Sequence, residues 1–241
     1  MLAAASLPMY DWPEIRQATD HFWRALAKSS GLTGELVRQS PHDALWRDPA
    51  LMFSQTCGYP FTHEFKGQLH YVATPHYACP GCEGPYYSSF IFTRGGDRSV
   101  APIPAINSMD SMSGMLALKL FCAEQSLATA QPLITGSHGA SLAAVQSGAA
   151  DICAVDAVVV ALAHQHRPEL LRGLVEMGQS PMVPGLPFVT RAGDVAQMQE
   201  ALATVFADEA LISARKAMLM SGFSILPATA YDEILKLEAT L

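Results

Sequence analysis

The chain has 241 residues and a formal net charge of −7; half of its residues are hydrophobic and 15% are charged. Lys and Arg residues form no cluster, so we expect no nucleic-acid partner. No apolar run reaches the roughly 18 residues of a membrane helix, so we expect no direct membrane insertion either. The length suffices for one core, or for two cores of roughly 100 residues each.

The amino-terminal residues do not have the pattern expected of a secretory signal. The stretch Met-Leu-Ala-Ala-Ala-Ser lacks a basic n-region, and the proline at position 8 leaves no room for an apolar h-region. The sequence therefore predicts no signal peptide within this chain and leaves export open.

Strand and helix patterns alternate along the first 95 residues. Apolar side chains at helical spacing predict an amphipathic helix from Pro13 to Ser29. A short helix is predicted at 42–46, and a loop at 56–60. The strands are predicted at 3–9, 35–39, 51–55, 69–74 and 88–93.

Two breaks divide the chain. Arg94-Gly95-Gly96-Asp97 predicts a crossing into a second lobe, and the prolines between 181 and 187 predict the return. Between them, strands at 100–107, 132–135, 151–155 and 174–177 alternate with helices at 113–124, 140–147 and 157–166. Two more helices are predicted at 195–206 and 231–239.

This alternation predicts an α/β protein with two lobes, residues 1–95 plus 185–241 and residues 96–184. Each lobe is expected to have a mostly parallel sheet flanked by helices. In such folds ligands bind where strand ends meet helix starts, so we expect the ligand in a cleft between the lobes.

The segment Asn107–Gly114 joins a predicted strand to a predicted helix. Ser111, Met112 and Ser113 lie where backbone N–H groups and hydroxyls can bind an anion, and the helix dipole favours negative charge there. The alternative is an ordinary cap, in which Ser111 or Ser113 serves only its own helix. Gly114 is expected to allow close packing, with no direct part in recognition.

The same chemistry recurs one strand–helix unit later, at Thr135–Ser141. His138 could donate to an oxyanion, or it could be a surface-loop histidine. Asp156 follows the strand at 151–155, where it could cap a helix or accept from a ligand donor.

Further candidates follow the first and third predicted strands. Tyr10 follows the first, and Gln55, Thr56 and Tyr59 follow the third. These positions suit ligand contacts, and the alternative is loop packing.

Cys79 and Cys82 have the Cys-x-x-Cys spacing of redox motifs. No helix is predicted directly behind them to lower a thiol pKa, and two thiols alone do not complete a zinc site. The open interpretations are structural thiols, a disulfide if the protein is exported, and a redox or metal function. We predict no metal, no cofactor and no catalytic residue.

The segments Asn107–Gly114, Thr135–Val145 and Asp151–Asp156 together resemble the phosphate/phosphonate family of periplasmic solute-binding proteins. The first resembles the family's Ser-x-Ser-Gly helix start. The resemblance implies the two-lobed type II periplasmic-binding-protein fold and a periplasmic location, although a cytoplasmic one stays open. It also implies phosphoryl-type contacts from Ser111, Ser113 and His138. Met112 departs from the pattern, because the family often has a third small hydroxyl residue there.

The function implied by this resemblance is capture of a small oxyanion, such as phosphate or phosphonate, for the membrane subunits of an ABC transporter. Two alternatives stay open. One is a cytoplasmic ligand sensor, and the other is a biosynthetic enzyme of the same fold acting on a small carboxylate or pyrimidine. Histidines could supply acid–base chemistry, but no nucleophile motif such as G-x-S-x-G accompanies them.

Overall fold

A computed structural model describes residues 4–95, 101–227 and 229–241. The α-helices are α1 (Arg16–Ser29), α2 (His42–Arg47), α3 (Gly58–Thr62), α4 (Ala117–Glu124), α5 (His138–Ser147), α6 (Ala157–His166), α7 (Val195–Ala207), α8 (Ile212–Ala217) and α9 (Asp232–Glu238). A π-helical turn, Met112–Leu116, leads into α4, and 3-10 turns lie at Pro13–Ile15, Pro168–Leu171 and Glu209–Leu211.

The strands are short. They are β1 (Ala4–Ala5), β2 (Leu51–Gln55), β3 (His70–Tyr77), β4 (Cys82–Glu83), β5 (Tyr86–Tyr87), β6 (Ser89–Arg94), β7 (Pro104–Ile106), β8 (Leu133–Ile134), β9 (Ile152–Asp156), β10 (Leu174–Gln179), β11 (Val183–Pro184), β12 (Phe188–Thr190) and β13 (Met220–Ser224).

The first unit comprises residues 4–78 and 185–227. Its five-stranded sheet has the order β1-β2-β12-β3-β13. β1 and β2 are parallel, whereas β12 runs antiparallel to both β2 and β3. The carboxyl ends of β1, β2 and β3 therefore lie at one edge. The buried rings of Trp23 and Phe53 stack 6.1 Å apart in the core beside this sheet.

The second unit comprises residues 79–184, apart from 96–100, and residues 229–241. Its main sheet has the order β10-β6-β9-β7-β8, in which β7, β8 and β9 are parallel. β6 runs antiparallel to both β9 and β10. A separate three-stranded antiparallel sheet joins β11, β5 and β4. The carboxyl ends of β7, β8 and β9 and the start of β6 consequently share one edge.

Most of the predicted elements are present, with bounds close to those predicted. The helix predicted from Pro13 to Ser29 forms as a 3-10 turn followed by α1, which buries Phe22, Trp23 and Leu26 on one face. α6 coincides with the prediction. In the described part of the chain, no helix is long and apolar enough to cross a bilayer.

The lobe boundary near residue 95 needs correction. The predicted crossing at Arg94–Asp97 runs into residues 96–100, which lie outside the described residues. β6 already belongs to the second unit, because it pairs with β9 and β10. The chain enters the second unit between Ala78 and Cys79, and residues 229–241 also belong to that unit. The return crossing falls between Pro184 and Gly185.

The sheets are mixed, whereas mostly parallel sheets were predicted. Three of the four pairings in the first sheet are antiparallel, because β12 and β13 join β3 after the chain has returned from the second unit. The strand predicted at 35–39 is wrong: the segment is irregular there, although the Val37 N–H donates to the Ala5 carbonyl at 2.8 Å. The loop predicted at 56–60 contains the start of α3.

Candidate functional site

Polar side chains collect at one edge of the main sheet of the second unit. We call this the rim and define it by Asn107, Ser111, Ser113, His138 and Asp156. These residues lie at or after the carboxyl ends of the parallel strands β7, β8 and β9, as the sequence predicted. Three helical segments begin there, the π-helical turn, α5 and α6. Their first N–H groups have no intrahelical acceptor, and their dipoles favour an anion.

Ser111 caps the π-helical turn. Its Oγ accepts the Gly114 N–H at 2.9 Å, and its carbonyl accepts from Met115 at 3.2 Å and from Leu116 at 3.0 Å. The Ser111 hydroxyl keeps its own proton for donation, so the cap interpretation and the ligand interpretation are compatible. The Met112 side chain is buried in the core at 1% exposure, which leaves only its backbone as a candidate contact.

Asn107 packs against Gly114. A Cβ at position 114 would clash with Asn107 Oδ1 and would lie 3.2 Å from Ser111 Oγ. Asn107 Oδ1 is buried and has no hydrogen-bond partner among the described residues. Glycine is therefore needed for the close approach of this strand end to the helical turn, in agreement with the packing role expected from the sequence.

Ser113 and His138 form the central pair of the rim. Ser113 Oγ lies 2.9 Å from His138 Nε2. His138 keeps part of its surface exposed, whereas its ring Nδ1 is buried and the ring interacts with the Ala154 backbone. Burial lowers the pKa of His138 to about 4, and the Ala154 backbone opposes this shift only in part. The imidazole is therefore neutral at pH 7, with one donor and one acceptor nitrogen.

A hydroxyl network holds α5 beside β7 and so brings His138 to Ser113. Thr135 Oγ1 donates to the Ile106 carbonyl at 3.0 Å and lies 2.7 Å from Ser141 Oγ. Ser137 caps α5 by accepting the Ala140 N–H at 3.2 Å. In the predicted Thr135–Ser141 segment, only His138 reaches Ser113, while Thr135 and Ser137 support it.

Asp156 caps α6. Its Oδ1 accepts from the N–H groups of Val158 at 2.8 Å and Val159 at 3.4 Å, and the residue is 1% exposed. The helix-cap interpretation thus describes Asp156 in this structure.

Two buried serines at the start of β6 also lie at this edge, and sequence reasoning missed them. Ser89 pairs with Asp156 across the sheet, and Ser88 Oγ lies 3.1 Å from both the Gly81 carbonyl and Gln179 Oε1. The signal was present as two small hydroxyl residues directly before an apolar strand. It was overlooked because the start of a strand lies at the same edge as the carboxyl ends of its neighbours only when that strand runs antiparallel to them.

The candidates of the first unit lie at the carboxyl ends of β1 and β2. We call this the first-unit edge and define it by Tyr10, Gln55, Thr56 and Tyr77. The buried Gln55 amide donates to Tyr77 Oη at 2.9 Å and to the Leu186 carbonyl at 3.0 Å, and the rings of Tyr10 and Tyr77 meet edge to face at 5.1 Å.

Tyr59 lies in the first turn of α3, where its ring stacks on His63 at 3.8 Å. The structure thus groups Tyr10 and Gln55 through Tyr77, whereas Tyr59 has a separate stacking partner. Ligand contacts from Tyr10, Gln55, Thr56 and Tyr59 stay a prediction.

The chain is similar to known proteins in both sequence and fold. A family model described as the periplasmic substrate-binding protein of phosphonate ABC transporters matches residues 103–231, more than half of the 241 residues. A comparison with curated proteins found no match. The matched range includes the whole rim.

Three solved structures illustrate the likeness of fold. The Prochlorococcus marinus protein PhnD1, in complex with methylphosphonate, has a TM-score of 0.75 at 13% identity, covering 98% of this chain and 97% of that one. A binding protein component of an ABC phosphonate transporter from Pseudomonas aeruginosa has a TM-score of 0.76 at 14% identity, covering 98% and 85%. A Xanthomonas citri protein bound to ATP has a TM-score of 0.72 at 17% identity, covering 99% and 96%. The predicted fold class, that of two-lobed periplasmic binding proteins, is confirmed.

Proposed function

Because the chain belongs to the family of periplasmic substrate-binding proteins of phosphonate ABC transporters, we propose that it captures a small oxyanion of the phosphonate or phosphate type at the rim. In this proposal it works in the periplasm and passes the ligand to the membrane subunits of a transporter. The family consists of solute-binding proteins, and the proposal needs no cofactor.

The observation that carries the proposal is the Ser113–His138 pair at the start of two helical segments. Ser113 is the second residue of the π-helical turn, and His138 is the first residue of α5. The backbone N–H of each has no intrahelical acceptor, so both can donate to one bound anion. Their side chains lie 2.9 Å apart and add a hydroxyl and an imidazole to the same place.

Uncharged hydrogen-bond donors are suited to binding an oxyanion. His138 has a pKa of about 4 because it is buried, so it is neutral at pH 7 and the pair brings no fixed positive charge. Oxygen atoms of a phosphonate would accept from the Ser111 and Ser113 hydroxyls and from backbone N–H groups. Hydrogen bonds to a charged acceptor are about twice as strong as neutral ones, which compensates for the absence of a cation in this pair.

The same pair argues against acyl-transfer chemistry. A serine beside a histidine is the geometry of a nucleophile and its base. An imidazole whose pKa is about 4 is a weak base at neutral pH, however, because an efficient general base has a pKa near the operating pH. Binding is therefore the function that this geometry supports best.

The test combines a ligand panel with two variants. We expect methylphosphonate or inorganic phosphate to raise the Tm of the purified protein, and acetate to leave it unchanged, because a ligand of the folded state stabilises by mass action. In calorimetry, Ser113→Ala and His138→Ala should each weaken the binding of the same anion by about 1–3 kcal/mol.

Ser147→Ala is the matched control, because Ser147 lies exposed at the other end of α5. It should bind like the wild type. Unchanged affinity in both rim variants would show that the anion binds elsewhere in the protein. If neither phosphonate nor phosphate shifted the Tm, the proposed function itself would be contradicted.

A further inference from the structure

Cys79 and Cys82 lie on a tight turn at the first residues of the second unit. The Cys82 N–H donates to the Cys79 carbonyl at 3.2 Å, Pro80 follows Cys79, and Gly81 has a φ of +83°. Proline at the second position and a left-handed glycine at the third are the features of a type II β-turn. Such a turn brings its first and fourth residues within about 7 Å, the range that a disulfide spans. The two Sγ atoms lie 3.5 Å apart as free thiols.

The turn is held in this geometry from outside. A Cβ on Gly81 would lie 2.8 Å from Ala157 Cβ and 2.9 Å from the ring of Phe90, so the turn packs directly on the start of α6 and on β6. The Ser88 N–H donates to the Gly81 carbonyl at 2.8 Å. Because these contacts fix the turn, the two thiols are presented to each other without the loss of chain entropy that a flexible loop would require.

The two thiols differ in pKa. The hydrogen bond between them lowers the pKa of Cys79 and raises the pKa of Cys82, with burial opposing the first shift and adding to the second. Burial raises the pKa of Cys122 to about 11 and that of Cys153 to about 12. Thiolate is the attacking species in thiol–disulfide exchange, so Cys79 is the residue suited to attack and Cys82 the residue suited to resolve.

We propose that Cys79 and Cys82 form a reversible disulfide by exchange with a small-molecule disulfide, which makes this turn a redox modification site of the protein. The Cys79 thiolate attacks one sulfur of the external disulfide and releases one thiolate. A mixed disulfide on Cys79 is thereby formed. Cys82 loses its proton and attacks Cys79 Sγ, which forms the Cys79–Cys82 bond and releases the second thiolate. The protein loses two electrons and two protons, and the external disulfide is reduced to two thiols.

The experiment uses the folded chain and oxidised glutathione, followed by alkylation and peptide mass mapping. Of the five thiols, we expect two to be lost, both in the peptide that contains Cys79 and Cys82, and to return after dithiothreitol. Cys57→Ser is the matched control, since Cys57 is a partly exposed cysteine outside the turn; it should keep the same disulfide. A folded wild-type protein that retains all five alkylatable thiols would overturn the proposal.

Single variants test the order of the steps. In Cys82→Ser the mixed disulfide on Cys79 cannot be resolved, so a stable glutathione adduct should accumulate. In Cys79→Ser the adduct on Cys82 should form more slowly, because burial still raises the pKa of Cys82 after the partner thiol is removed, whereas the serine hydroxyl introduced by Cys82→Ser can still donate to Cys79. Equal adduct rates in the two variants would overturn the assigned roles. Should either variant fail to fold, the wild-type peptide map still decides whether the disulfide forms.

Discussion

The rim of the second unit and the first-unit edge both place polar side chains at the carboxyl ends of strands, and they differ in how their polar groups are paired. At the first-unit edge, the Gln55 amide donates to Tyr77 and to the Leu186 carbonyl, so its donors are consumed inside the unit. At the rim, Asn107 Oδ1 is buried without a hydrogen-bond partner among the described residues, whereas the His138 ring interacts with Ser113 Oγ and with the Ala154 backbone. One edge is a satisfied network, and the other has hydrogen-bonding capacity left over.

This difference separates polar groups that are paired within the fold from a polar group that has no partner in the described chain. Buried polar groups are normally paired, and a group left unpaired costs about 1–3 kcal/mol. Asn107 Oδ1 is such an acceptor at the rim, and a ligand that carries a donor, such as the P–OH group of a singly protonated phosphonate, would satisfy it. Under the proposed function, we expect Ser113 and His138 to contact the ligand and Gln55 to maintain the fold.

The largest expected effect follows from the close approach at the rim. Gly114→Ala would make a methyl group clash with Asn107 Oδ1, so Asn107 must move and the Ser111 cap is crowded. Overpacking of this kind costs about 1–3 kcal/mol of unfolding free energy. Anion affinity should fall as well, because the displaced residues belong to the rim. Urea unfolding and calorimetry on the same variant measure the two losses; wild-type values in both would show that the rim adapts easily.

A second prediction concerns pH and the buried imidazole. The pKa of His138 is about 4 in the folded protein and 6.5 in the reference state. Between these values the unfolded chain binds a proton that the folded chain does not, so stability falls as pH drops from about 6.5 to about 4. The loss is at most about 3 kcal/mol.

His138→Gln keeps an amide beside Ser113 and removes the titrating imidazole. The difference in unfolding free energy between wild type and variant therefore isolates the contribution of His138 from that of the other ionising groups. Urea unfolding at several pH values should show that the variant becomes more stable relative to the wild type as the pH falls through this window. Parallel pH profiles would mean that the imidazole is not buried in its neutral form.

Local and non-local signals explain how far the sequence could predict this molecule. The units β7–α4, β8–α5 and β9–α6 were predictable because each is a strand followed by a helix within one stretch of chain. The rim followed from them, since parallel strands end at the same edge. β12 was missed because it has three residues and is defined only by pairing with Gln55 and Ala73, more than 100 residues away.

The prediction of the lobe boundary was wrong for the same reason, because it depended on a pairing between distant segments. Arg94–Asp97 has the glycines of a break, but the pairing of β6 with β9 and β10 assigns the preceding strand to the second unit. No local pattern reports such a pairing. Likewise, the sequence favoured Ser113 and His138 as candidates, but it could not predict that Ser113 and His138 face each other, or that Met112 turns into the core.

Gln55→Met tests the framework role of the first-unit edge. Methionine has a similar length but cannot donate, so the buried Leu186 carbonyl and Tyr77 Oη each lose a donor. We expect a loss of about 1–3 kcal/mol in unfolding free energy with anion affinity unchanged. Gln68→Met, at an exposed position, should change stability by less than about 0.5 kcal/mol. A stable Gln55→Met protein with weakened anion binding would show that Gln55 contacts the ligand. The rim and the first-unit edge would then no longer differ in function.

The smallest effect is expected at Gly139, the counterpart of Gly114 at the start of α5. A Cβ added at Gly139 meets nothing within 4 Å, and the residue lies in the first turn of a regular helix. Alanine loses less backbone entropy than glycine on folding, so Gly139→Ala should stabilise the protein by up to about 1 kcal/mol. The Gly139 N–H survives the substitution, and anion binding through it should therefore persist. A marked loss of affinity in this stabilised variant would mean that the anion lies against the Gly139 Cα, which would place the ligand on the α5 side of the Ser113–His138 pair.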